Sequence, residues 1–190
     1  MVVPVAYAVK GSPHARHLWQ YKSAGRTDAE PAASLLQALA LVFLREHGAC
    51  LRRMAGATAT HLAVVPTARG RPGTHPLRSL VEPYLIRPWA DLAARPGGEQ
   101  CRDLDPARFS AGPLPGARVL LLDDTWTTGA SAQSAAMALR RAGARSVVVV
   151  VLGRHIGRAA GGLTAVGTAA MPFRADSCAV HDDDALAVRP

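Results

Sequence analysis

The stretch Arg118-Val-Leu-Leu-Leu-Asp-Asp-Thr-Trp-Thr-Thr-Gly-Ala-Ser131 decides how the chain reads. Val119 to Leu122 are apolar without alternation, which predicts a strand buried on both faces, as in a parallel sheet covered by helices. Asp123 and Asp124 follow at its carboxyl edge, where open α/β sheets bind their ligands. Side chains alternate along a strand, so the two acids point to different sides and cannot both face one cation. Acids beside a Thr/Gly turn suit a sugar diol, whose hydroxyls need acceptors, or waters around Mg2+. Thr127 to Ser131 then opens a helix, whose N–H groups, hydroxyls and positive dipole end form a monoester phosphate site. Gly129 allows close backbone approach, and Ser131 can serve as cap and ligand. Either half alone reads as a strand ending in a capped turn. Together they are specific.

Working outward, Ala130 to Ala142 predicts a helix and Ser146 to Leu152 a second buried strand. Strand, helix, strand in that order means a right-handed parallel crossover, and the class is α/β. Upstream, His61 to Val65 reads as a buried strand broken by Pro66 to Gly73. In that break Arg69 offers a fork for phosphate oxygens, and Gly70 permits an unusual backbone conformation. A helical pattern runs from His75 to about Val81. Residues 95–116, rich in Pro and Gly, predict about 20 residues without regular structure, a lid or binding loop. Nearer the start, Val2 to Val9 is β-rich and Ser12 to Ala24 suits a short helix. Thr27 to Glu30 has the capping-box pattern, and Leu35, Leu36, Leu39, Val42 and Phe43 follow at helical spacing to Gly48. Beyond Gly153 the pattern weakens toward an acidic run, Asp182 to Asp184.

The 190 residues fit a single domain, 1–190, without repeats or low-complexity tracts. Hydrophobic residues make up 49% and charged residues 19%, a globular balance that excludes disorder. Cys50, Cys101 and Cys178 are scattered, which argues for a reducing compartment and against a cysteine-rich zinc ribbon. No apolar run approaches the roughly 20 residues of a membrane span, and the first residues lack a basic secretory pattern. A cytoplasmic protein is expected. The net charge is +8, almost wholly from arginine, since Lys10 and Lys22 are the only lysines. Arginine in excess invites a nucleic-acid reading, which predicts steep salt dependence. However, the arginines form no block and aromatics are only 5%, too few for base-stacking platforms. A phosphorylated small substrate explains the sign of the charge equally well.

Val119 to Ser131 resembles the phosphoribosyl pyrophosphate (PRPP) motif of type I phosphoribosyltransferases. The layout from about 14 to 154 is similar to the ComF-like, amidophosphoribosyltransferase-related branch. It shares Val65-Pro66 before an Arg-Gly loop, then Gln100 and Arg108 ahead of the motif strand. The resemblance implies a parallel sheet flanked by helices, a flexible loop at about 95–116, and a small hood from about 1–26 and 160–190. It implies an enzyme that binds PRPP with Mg2+ and transfers the phosphoribosyl group to a nitrogen acceptor, releasing pyrophosphate. Asp123 and Asp124 would meet the ribose hydroxyls and, mostly through water, Mg2+. Thr125, Thr127, Thr128, Gly129, Ala130 and Ser131 would hold PRPP, the last five around its 5′-phosphate. Thr67, Ala68, Arg69 and Gly70 would form the pyrophosphate loop. Arg69 and Arg108 would join the two acids in catalysis, with Arg102 a further loop cation. A homodimer is compatible with the sequence, and a PRPP-sensing protein without catalysis is the alternative function.

Two departures narrow the reading. Thr127 stands where 6-oxopurine enzymes of the family carry an acid, which disfavours hypoxanthine or guanine. Trp126 replaces a more usual aliphatic residue and either packs under the loop or stacks on a ring. Tyr7, Lys10, Tyr21 and Lys22 are the hood residues offered for the acceptor. Cys178-x-x-His181 with the acidic run falls short of four metal ligands at zinc spacing.

Overall fold

The computed structural model describes residues 1–23, 25, 27–67, 74–95, 103–156 and 173–180. The central sheet is wholly parallel. Its edge is one extended run in two pieces, β1 (Val2–Pro4) and β2 (Tyr7–Val9). Both keep one register along β7 (Ser146–Ile156), pairing Val2 with Val149 and Tyr7 with Arg154. β7 pairs with β6 (Arg118–Trp126), and β6 with β3 (His61–Val64) at the far edge. Trp89 bridges Leu62 beyond β3, so that edge is partly covered. The expected crossover is present, with α5 (Ala130–Arg141) between β6 and β7.

Alternation along β6 and β7 builds two cores. Leu120, Leu122, Val148, Val150 and Leu152 pack under α1 (Pro13–Gln20), α2 (Ala29–Glu46), α3 (Gly48–Ala55) and α4 (Pro76–Val81). Val119, Leu121, Val149 and Val151 pack under α5 and a two-stranded ribbon, β4 (Leu92–Ala94) with β5 (Phe109–Ala111). Both faces are therefore dry, as the unalternating runs require. Gly153 brings α1 down onto β7, since any Cβ there would overlap Leu18.

Several expectations need correction. Residues 2–9, assigned to a hood, are the edge strand of the main sheet. Of the loop expected at 95–116, residues 96–102 lie outside the described residues, Phe109–Ala111 is a strand, and residues 105 and 106 are stapled to α5. The Asp105 N–H donates to Ser134 Oγ at 3.0 Å and Arg141 to the Pro106 carbonyl at 2.9 Å. Phe109 and Leu114 are buried there, and that burial outweighs the Pro/Gly content. Thr27 to Glu30 forms no capping box: Asp28 is the N-cap of α2 without a side-chain cap bond, because its carboxylate takes Gln20 Nε2 at 2.7 Å. The helix expected to stop near Gly48 ends there, and α3, for which the sequence carried no expectation, follows at a 65° bend. No single helix among the described residues is long and apolar enough to cross a membrane; α2 and α3 pass only as that bent pair.

Candidate functional site

β6 carries both acids to the carboxyl edge of the sheet, and their surroundings differ sharply. Asp124 is 5% exposed on the α1 side. Tyr21 Oη donates a hydrogen bond to its Oδ2, and Lys22 Nζ lies 2.8 Å from Oδ1 and 2.7 Å from Oδ2. Burial alone would raise this acid, but the Lys22 charge and hydrogen bonds from Lys22, Tyr21 and Thr125 outweigh it. They hold Asp124 below the ordinary carboxylate range. Asp123, on the opposite face, is partly exposed. Burial and the adjacent Asp124 charge push it up to about 7, against N–H groups of Thr125 and Asp124 and the more distant Lys22 charge. One carboxylate is anchored and ionised, and the other can take or release a proton near neutrality.

The turn after β6 has the expected shape with different contacts. Thr127 and Thr128 are exposed, Gly129 and Ala130 are buried, and Ser131 lies between. Gly129 is the N-cap of α5 at φ +81°, a conformation that favours glycine. A Cβ at Gly129 would overlap the Trp126 indole, so Trp126 packs under the turn. Ser131 does not cap the helix; Thr128 Oγ1 takes the Ala130 N–H at 3.3 Å instead. The twelve-residue helix still presents first-turn N–H groups and its positive dipole end beside the two threonine hydroxyls.

Thr67 reaches this edge from β3, since the Val65 N–H donates to the Leu122 carbonyl at 2.9 Å. A cavity of about 520 Å³ opens beside it, with Thr67, His75, Arg78 and Trp89 in its wall. Ala68, Arg69, Gly70, Gln100, Arg102 and His181 lie outside the described residues. Arg108 is 6% exposed, its guanidinium 5.3 Å from the Phe109 ring centre, at the base of the ribbon. Tyr21 and Lys22, offered for the acceptor, sit on Asp124. Only sequence-distant packing puts α1 there, so no local pattern could have announced that contact.

No protein-family model and no curated protein matches the chain. Among solved structures it is similar to the "Crystal structure of purine phosphoribosyltransferase from Pyrococcus horikoshii Ot3". The TM-score is 0.35 at 15% sequence identity, covering 62% of this chain and 88% of that chain. The α/β class rests on the sheet itself, and the site on its own chemistry.

Proposed function

We propose that the chain binds PRPP with Mg2+ and transfers its phosphoribosyl group to a nitrogen of a small nucleobase or amine. The observation that supports this most is the juxtaposition, within one strand-to-helix turn, of a titratable carboxylate and an open helix N-terminus lined by Thr127, Thr128 and Ser131. The turn takes the 5′-phosphate, and Asp123 accepts hydrogen bonds from the ribose diol. Asp123 is also a hard oxygen donor suited to the hydration shell of Mg2+, whereas Asp124 is engaged by Lys22 and Tyr21. Bound with the substrate, Mg2+ supplies neutralisation of pyrophosphate charge. Asp124 therefore positions the edge and Asp123 meets the ligand. Arg69 and Arg108 are offered as cations for the departing pyrophosphate. Positioning and charge stabilisation carry the rate.

Calorimetric titration of the full chain with PRPP, with and without Mg2+, tests the first half. We expect Mg2+-dependent binding that Asp123→Asn removes; absence of binding at millimolar PRPP overturns the proposal. Pyrophosphate release with a panel of nucleobases and amines tests the second. Tight binding without turnover on any acceptor would favour the sensing alternative. Binding that collapses steeply with salt but ignores Asp123→Asn would point to nucleic acid.

A further inference from the structure

Away from this edge, three metal-binding side chains converge at the corner between α2 and α3. His47 ends α2 and opens α3, and Cys50 follows three residues on, within the first turn of α3. Cys178 reaches them from the segment 173–180. One donor atom from each lies within 4.8 Å of the other two. The residues are 1%, 3% and 6% exposed, and both imidazole nitrogens are shut off from water. The described neighbours are largely apolar, with the Phe43 ring 4.8 Å from the imidazole and Leu44, Phe173, Ala179 and Val180 on the same core, and the exposed Asp176 lies within electrostatic reach of His47.

We propose that His47, Cys50 and Cys178 bind a structural Zn2+ ion that pins residues 173–180 to the α2–α3 corner. Two thiols and an imidazole are the soft and borderline donors that Zn2+ selects. Binding forms two Zn–S bonds and one Zn–N bond and releases two thiol protons to solvent. The metal and its two thiolates are then neutral together, so burial leaves no uncompensated charge. Zn–S bonds of about 2.3 Å place tetrahedral donors about 3.8 Å apart, so loading the ion asks the corner to close by at most about 1 Å. A Cys50–Cys178 disulfide would use only two of the three groups, and the metal uses all three. Three protein donors would fill three of the four tetrahedral positions and a water the fourth, and the deep burial gives the ion a structural role.

The test uses the untagged full chain, with metal content by mass spectrometry and Co2+ loading of the stripped protein. Expected are one zinc per chain and a thiolate-to-cobalt charge-transfer band that Zn2+ bleaches. Cys178→Ser should weaken binding by about 100-fold or more with an unchanged far-ultraviolet spectrum, while Cys101→Ser keeps the band. The proposal is overturned by absence of both zinc and the cobalt band, by a band that survives in Cys178→Ser, or by a resident Cys50–Cys178 disulfide. Should Cys178→Ser fail to fold, His47→Gln takes its place, and the wild-type zinc content still decides.

Discussion

Asp123 and Asp124 share a strand, a peptide bond and a chemistry, yet the two faces of the sheet treat them in opposite ways. On the α1 side, Tyr21 and Lys22 close over Asp124 and make it a fixed negative charge. On the α5 side, Asp123 keeps contact with solvent and loses its proton only near neutrality. The difference comes from the helices rather than from the acids. α1 ends directly over the β6 edge, whereas α5 begins after a turn and leaves that edge open. A doublet of carboxylates is thereby divided into a scaffold and a working group.

The strongest way to break this comparison is to remove the closing charge. Lys22→Met keeps the side-chain stem but strands a buried carboxylate, and it should cost about 2–3 kcal/mol at pH 7. That is below the full cost of breaking a buried pair because Lys22 is 32% exposed. Asp124 ordinarily titrates low, so its contribution is present at neutral pH and disappears as pH falls below about 4. The penalty for Lys22→Met should shrink over the same window. Urea denaturation at pH 7 and pH 3 reads both effects. An equal penalty at both pH values would mean that Lys22 acts through packing alone.

The open side can be tested at Gly129. Gly129→Ala faces both a positive φ and the Trp126 ring, and it should cost about 2 kcal/mol. Pairing it with Trp126→Ala should remove the steric part and leave the backbone part, a coupling that a double-mutant cycle measures. Full additivity would show that the indole does not shape the turn.

What the sequence made legible follows the same division. The unalternating runs of β6 and β7 announced a parallel sheet, and Asp123, Gly129 and the helix start were readable because strand, turn and helix are contiguous. The lock on Asp124 was not readable, because Tyr21 and Lys22 are about a hundred residues away and nothing local marks them as partners. The ribbon was missed because Pro and Gly between 95 and 116 mask the few buried anchors, Phe109 and Leu114. The corner at His47 was missed for a subtler reason. His47 shows no ligand spacing that stands out in the sequence, and the group that completes its cluster, Cys178, comes from the far end of the chain.

The smallest effect is also the sharpest, because its sign is unusual. Asp123 holds its proton more tightly in the folded chain, up to about 7 against an ordinary value near 3.8. Stability from this group is complete below about pH 4 and falls as pH rises toward 7, opposite to Asp124. A fully buried carboxylate with that shift would lose about 4 kcal/mol, and the partial exposure of Asp123 trims the shift and its cost together, so about 1 kcal/mol is expected. Asp123→Asn removes the ionisation and should raise the melting temperature at pH 8 while leaving it nearly unchanged at pH 4. If the variant is instead destabilised at pH 8, the ionised carboxylate is held by the fold as firmly as Asp124, and the division between the two faces disappears. A gain at pH 8 together with loss of PRPP binding would show Asp123 spending stability on its ligand, as a working group does.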